Sequence, residues 1–428
     1  MLFLVITFLI LIILNMPIAF ALGIAPTIYI LITEKYPIEI IIQQMISGLD
    51  SFVYLAVPFF ILAGELMTEG RISEKLIDFA SLIVSKLAGG LAMAVSLASM
   101  FFASISGSGP ATTAAIGGAT LPELIKRGYG KEWSVALITA SGTMGPLIPP
   151  SITMVIYGAI SGVSIGKLFL AGMVPGVLIG IGLMVISYIH AKGVKTQDHL
   201  DGVGKVTFKR IIKSFMNAIW AFGMPVIIMG GILFGVFTPT EAAVVSVVYA
   251  FIVCFFIYKT LSIKDIPKIL KKSAVTSSVV MIILAYASGF AWIIGAEKGP
   301  EQIVMFFQTL TTNKYLTLFM INIFLFLVGC LIDTSSAIIM TYPAIYLLAK
   351  SIGVSPMHLG IFMCTNLIIG MATPPVGLTL FTACSIGNVK ISKVTKPLLP
   401  MLIVMFIIAL FITYFPDVAL FIPNYFMK

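Results

Sequence analysis

Charge is scarce in this chain of 428 residues: Asp, Glu, Lys and Arg make up 10% of it, against 59% hydrophobic residues and a mean hydropathy of +1.11. So little polar surface cannot cover so much apolar surface, which excludes a soluble fold and leaves a polytopic membrane protein. Cysteine is scarcer still. Cys254, Cys330, Cys364 and Cys384 stand singly in apolar segments with no C-x-x-C spacing, so they read as small buried hydrophobes, not as a metal or redox centre. His190, His199 and His358 are scattered, and no H-E-x-x-H motif occurs. Residues Gly162 to Leu168 approach a phosphate loop but are one residue short and end in Leu where Ser or Thr is needed, so ATP hydrolysis is unsupported. No Ser has a His partner at matching membrane depth, and the chain is expected not to be an enzyme. The apolar start, residues 2–33, lacks a basic n-region and runs on past Pro17. It is expected to be a retained membrane segment, not a cleaved signal, with Asn15-Met16-Pro17 leaving open whether it is one helix or two.

Apolar stretches of about 20 residues, long enough for a bilayer core, lie near 2–33, 43–67, 133–162, 168–190, 215–237, 241–258, 274–295, 356–387 and 397–415. The net charge of +9 is explained by topology, with no nucleic-acid partner expected. Lys and Arg bias loops toward the cytoplasm. They gather 20 of 26 on one side, including the dense runs Lys192 to Lys213 and Lys259 to Lys272, if the stretches near 88–122 and 315–348 enter and return on the same side. Each of these holds two pieces of about 12 to 17 residues around a polar break, short for an ordinary crossing, and so reads as a re-entrant hairpin. The competing reading is a plain helical hairpin.

The chain also contains a second copy of itself. Pro149-Pro150 recurs as Pro374-Pro375, and at the same spacing of 225 Gly64 meets Gly289, Gly70 meets Gly295, Gly128 meets Gly353, Gly162 meets Gly387 and Pro175 meets Pro400. Five crossings separate the starts of the copies, and an odd number inverts the second. The expected architecture is therefore an all-α polytopic membrane protein with two inverted-topology repeats, each carrying a re-entrant hairpin and a broken helix, as in transporters that alternate access. Residues 1–42 form an N-terminal scaffold region and 43–190 repeat 1, with its hairpin near 88–122 and broken helix near 133–162. Residues 191–273 supply a cytoplasmic loop and two scaffold helices, and 274–428 form repeat 2, with its hairpin near 315–348 and broken helix near 356–387.

The breaks carry the chemistry. Hairpin 1 turns at Ser104-Ile105-Ser106-Gly107-Ser108-Gly109-Pro110-Ala111-Thr112-Thr113, and the broken helix of repeat 1 reads Ser141-Gly142-Thr143-Met144-Gly145-Pro146-Leu147-Ile148-Pro149-Pro150-Ser151. Repeat 2 offers Asp333-Thr334-Ser335-Ser336 and, in its broken helix, Asn366, Gly370, Thr373, Pro374 and Gly377. Gly and Pro free carbonyls from helical pairing, and irregular backbone at membrane depth is tolerated only inside protein or beside a wet cavity. Such oxygens suit hard cations, one site per repeat, while half-helix N-termini suit an anionic carboxylate. The plainer account is kinking and close packing through small residues. Asp333 is an intramembrane acid and so a binding candidate, although Asp-Thr-Ser-Ser is also good N-cap chemistry. Glu65 and Glu241 are expected near membrane faces, Glu241 in the first turn after Thr240 as N-cap.

Five stretches are distinctive: Val57 to Met67, Ser106 to Thr112, Gly145 to Ser151, Gly235 to Ala243 and Thr373 to Gly377. Together they resemble the DctM-type large membrane subunit of the tripartite ATP-independent periplasmic (TRAP) transporters, over essentially the whole chain. The resemblance implies a multi-pass protein of the bacterial inner membrane that takes up an organic acid with sodium as coupling ion and no other cofactor. It implies two partners, a periplasmic substrate-binding protein and a small four-helix membrane subunit, the latter expected as a separate polypeptide docking on segments 215–258, with membrane lipid around both. It further implies an elevator-type ion transporter architecture, in which the hairpins and broken helices slide against a scaffold. Carried onto these residues, one sodium site falls on Ser104, Ser106, Gly107 and Gly109 with Gly145 and Pro149, and the other on Thr334 and Ser335 with Gly370, Thr373 and Pro374. The substrate falls between them, near Thr112, Ser151, Tyr157, Asp333 and Asn366. A stand-alone sodium/carboxylate symporter, an intramembrane enzyme and a non-transporting scaffold are the other readings.

Overall fold

The computed structural model describes residues 2–14, 16–194 and 208–427; Asn15, Lys195, His199, Lys205 and Lys428 lie outside the described residues. The described residues form α-helices and short 3-10 and π turns, with no strand among them. The apolar start is two helices, α1 (Leu2–Ile13) and α2 (Ile18–Thr33). Pro17 caps α2 and has no N–H to give a helix running through it. Helices of 12 and 16 residues rise about 18 and 24 Å, short of a hydrocarbon core of about 30 Å, and they pack on each other. The stretch expected over 43–67 is likewise divided, at Asp50-Ser51, into α3 (Glu39–Leu49) and, after a 3-10 turn, α4 (Ala56–Glu69).

From there the chain follows its duplication. After α5 (Ile72–Val84) come α6 (Gly90–Ser106) and α7 (Gly109–Lys126), then α8 (Lys131–Gly142), α9 (Ile152–Ser161) and the long α10 (Ile165–Gly193). Helices α11 (Phe208–Leu233) and α12 (Pro239–Ile252) lead to α13 (Ile266–Ala296) and α14 (Gly299–Leu310). The second series is α15 (Lys314–Leu331), α16 (Thr334–Ser351), α17 (Pro356–Gly370), α18 (Leu378–Gly387) and α19 (Ile391–Tyr414), closed by α20 (Pro416–Phe426). Helices α7 and α16 are displaced by 225 residues at both ends, as are the end of α6 from that of α15 and the start of α8 from that of α17. Gly128 and Gly353 both take positive φ, and Pro149-Pro150 and Pro374-Pro375 are both cis. The hairpin arms are slightly longer than expected, at 17 or 18 residues. Among the described residues seven segments are long and apolar enough to cross a membrane, and α15 is one of them.

Ion pairs fasten the ends of α13. Near its start Lys268 Nζ lies 3.0 Å from Glu69 Oε2 and Lys272 Nζ 2.7 Å from Glu65 Oε2, both acids on the last turns of α4. Helix α4 therefore runs antiparallel to α13, the helix containing its own sequence counterpart. Beyond the other end, Lys35 Nζ sits 3.0 Å from Glu297 Oε2. The Lys35 hydrogen bond holds the Glu297 carboxyl below the usual range, and the same bond raises Lys35. The start of α12 differs from expectation by two residues. Thr238, not Thr240, is the N-cap, and Glu241 completes a capping box by accepting from the Thr238 N–H at 2.7 Å.

Candidate functional site

Helix α6 ends because Gly107 turns left-handed, at φ 61, and its Cα lies so close to the break between α8 and α9, break 1, that a Cβ would stand 2.6 Å from Pro150 O. Both demands select glycine. Two residues later α7 begins, capped by the Ser108 side chain, which accepts from the Ala111 N–H. This tip is pressed into break 1. A Cβ on Gly145 would lie 2.6 Å from Thr112 Oγ1 and 2.7 Å from Ser108 C, and Gly142 offers Thr113 no more room. Ser106 Oγ and Thr112 Oγ1 are 2.7 Å apart, and Ser106 Oγ donates to Ser108 O at 3.3 Å. Two hydroxyls and the Ser108 carbonyl thus gather against Gly145 just past the end of α8, and the Pro150 carbonyl meets the same tip at Gly107. Every residue from Ser141 to Pro150 is buried. Ser151 caps α9, accepting from Met154 N at 3.2 Å and donating to Pro146 O. Ser104 stands apart from this cluster, donating to Phe101 O of its own helix at 2.6 Å.

Break 2, between α17 and α18, is built from the same parts in a different register. Gly370 approaches the end of α15, where its Cβ would lie 2.6 Å from Gly329 Cα and 2.8 Å from Cys330 N. Val376 N donates to Cys330 O at 3.4 Å. Thr379 Oγ1 donates to Met371 O at 2.8 Å and Thr373 Oγ1 to Ile369 O at 3.2 Å. Unlike break 1 it is partly open, with Pro375 and Val376 exposed. Asp333 is the N-cap of α16: Oδ1 accepts from Ser335 N at 2.9 Å and Ser336 N at 3.3 Å, and Oδ2 accepts from Ser336 Oγ.

Each hairpin tip also touches the other copy's broken helix. A Cβ on Gly109 would lie 2.9 Å from Thr379 Cγ2 of α18, and Thr334 Oγ1 lies 3.3 Å from Thr153 Oγ1 of α9. Gly109 and Thr334 are 225 residues apart, and Thr153 and Thr379 are 226 apart. The two contacts are thus one contact seen from either repeat. They bring Thr112, Ser151 and the Asp333 tip into one region. Thr153 and Thr379 were missed in the sequence because α9 and α18 are displaced by 226 residues, one more than the prolines.

Two expected substrate residues are held by their own partners. Tyr157 is fully buried, donates its hydroxyl to Pro356 O at 2.6 Å and meets Tyr342 edge-on, so it packs the two broken helices together. Asn366 is fully buried, donates from Nδ2 to Asn322 Oδ1 at 2.6 Å and to Phe362 O at 2.7 Å, and leaves its Oδ1 without a partner. Thr413 Oγ1 also reaches Asn322 Oδ1, at 2.9 Å. In repeat 1 the matching link between hairpin and broken helix is Ser96 Oγ to Ser141 Oγ, 3.3 Å.

A family model described as "Tripartite ATP-independent periplasmic transporter, DctM component" matches residues 5–418. The isethionate TRAP transporter permease protein DctMQ of Oleidesulfovibrio alaskensis is 40% identical over 95% of this chain, which spans 64% of that relative's length. The C4-dicarboxylate TRAP transporter large permease protein DctM of Pseudomonas aeruginosa is 37% identical over 95% of this chain and 94% of its own. Among solved structures, the YdaH transporter of Alcanivorax borkumensis superposes with a TM-score of 0.56 over 88% of this chain and 87% of that one, at 12% identity, a likeness of fold alone.

Proposed function

This chain belongs to the DctM component family of the tripartite ATP-independent periplasmic transporters, and from that premise we propose that it is the membrane permease of a sodium-coupled uptake system for a small organic acid. A periplasmic binding protein delivers the substrate, and a small four-helix membrane subunit lies alongside α11 and α12. The two relatives named above, described by isethionate and C4-dicarboxylate transport, both take small organic anions, which supports that substrate class.

The observation that carries the reading is the convergence of hydroxyl and carbonyl oxygens on a backbone break in each copy. Around break 1 these are the Ser106 and Thr112 hydroxyls and the Ser108 and Pro150 carbonyls; around break 2 they are the Met371 and Thr373 carbonyls, 3.0 and 2.7 Å from where a Cβ on Gly377 would stand, and the Thr379 hydroxyl on Met371 O. Such oxygens are the ligands a hard monovalent cation takes. Between the breaks, where each tip meets the other copy's broken helix, the N-terminal end of α9, capped by the neutral Ser151, supplies partial positive charge for a carboxylate, whereas that of α16 already holds the Asp333 carboxylate. The antiparallel run of α4 and α13 and the reciprocal tip contacts support an inverted repeat, and hence alternating access by movement of the hairpins and broken helices against the other helices.

Sodium binding to the folded state stabilises it by mass action, by about 2.7 kcal/mol at a hundred times the dissociation constant. Thermal unfolding of the purified protein in sodium chloride against potassium chloride of equal ionic strength reads this directly. A higher midpoint in sodium is expected; equal midpoints over the accessible range would sink the cation sites.

A further inference from the structure

At the lysine-rich face, which the charge bias assigns to the cytoplasm, a cavity of about 750 Å3 opens between the start of α8, the end of α18 and the start of α19. Lys131 enters it from one repeat and Lys390 and Lys393 from the other, some 260 residues along the chain. No carboxylate among the described residues pairs with any of the three, whereas Lys35, Lys268 and Lys272 are all paired. One acid, Glu132, also lines the wall and leaves the cavity net positive. One face of α18 connects it to the breaks. Phe381, Ser385 and Asn388 line the cavity at helical spacing, and one turn before Phe381 on that face stands Leu378, 37% exposed, the first residue after break 2.

We propose that this cavity is a second, weaker anion site on the exit path, holding the carboxylate of the organic acid between the breaks and the cytoplasm. The inference rests on the transport reading above. Unpaired lysines beside a low-dielectric wall concentrate anions and focus their field into the cleft, and Asn388 and Ser385 add neutral polar groups. A carboxylate leaving the breaks thus meets positive charge before it meets bulk water. An anionic lipid headgroup presents the same chemistry, and the two sources are separable.

The test is thiol labelling of Ser385→Cys in a full chain whose four native cysteines are replaced by alanine, held with its partner subunit in nanodiscs of phosphatidylcholine. The probes are an anionic sulfonatoethyl and a cationic trimethylammonioethyl methanethiosulfonate. The anionic reagent is expected to react about tenfold faster than the cationic one, with the ratio falling to within about twofold in the Lys131→Gln, Lys390→Gln, Lys393→Gln variant. Succinate at constant ionic strength should slow the anionic reagent. Asn388→Cys serves as a second reporter should Ser385→Cys fail to fold. A ratio unchanged by the three glutamines overturns the proposal, and so does an anion preference that succinate leaves untouched but phosphatidylglycerol nanodiscs abolish, since that site belongs to lipid. Labelling needs no transport, so a failed uptake assay would remove the transport reading while leaving this result standing.

Discussion

Gly145→Ala isolates the contact between hairpin 1 and break 1. The added Cβ would press closest on Ser108 O and sit 2.6 Å from Thr112 Oγ1 and 2.7 Å from Ser108 C, where ordinary contact begins near 3.4 Å, so the tip must retreat by about 1 Å. Two of the opposing atoms are backbone, which cannot swing aside. Overpacking of this kind costs about 1–3 kcal/mol. If that strain falls on the sodium-bound geometry, half-saturation by sodium rises about 5- to 140-fold, at about 1.4 kcal/mol per tenfold. The assay is sodium-dependent uptake into proteoliposomes, with thermal unfolding to show that the variant remains folded. Gly118→Ala is the control: it lies on the same hairpin, and nothing stands within 4 Å of its Cβ. A Gly145→Ala protein that folds and shows the sodium dependence of Gly118→Ala would refute a cation site between tip and break.

Asp333→Ala should abolish most uptake while insertion and partner binding persist, and Asp333→Ser separates its two roles. Serine is the N-cap at the equivalent Ser108, so it restores capping, normally worth about 1 kcal/mol, without the charge. Recovery of uptake in Asp333→Ser would reduce Asp333 to a cap. Tyr157→Phe removes a second hydrogen bond to the Pro356 carbonyl, which also serves α17, and should lower stability by about 0.5–1.5 kcal/mol, with substrate half-saturation within about twofold of the parent. A large change in apparent affinity at unchanged stability would place the hydroxyl on the substrate instead. Thr373→Val removes one hydroxyl from break 2 and should raise the sodium requirement, and an unaltered requirement would count against that ligand.

What was legible in the sequence is what repeats with a chemical reason. The two Pro-Pro pairs and the glycines around them mark where helices must stop, and the hairpin helices α7 and α16 begin and end at the spacing those prolines set. The short helices α3, α5, α14 and α20 were not legible. Each is 11 to 13 residues long with charged or polar positions interrupting its apolar face, so none reads as a bilayer-length stretch. The reciprocal contact of Thr153 and Thr379 was hidden by one extra residue in the second broken helix. Asn366 could be named as an oxygen source, but not that Asn322 and Thr413, 44 and 47 residues away, would share a polar cluster with it. Such partners are chosen by helix packing, which no local pattern records.

The central claim is a three-part, sodium-driven permease, and its most direct test is uptake into proteoliposomes holding this chain and its small membrane subunit. An inward sodium gradient is imposed, and the substrate-loaded binding protein is added or omitted. The account predicts accumulation only when gradient and binding protein are both present. Sodium-driven accumulation without the binding protein would contradict it in favour of a stand-alone symporter, and accumulation that ignores the sodium gradient would contradict the coupling.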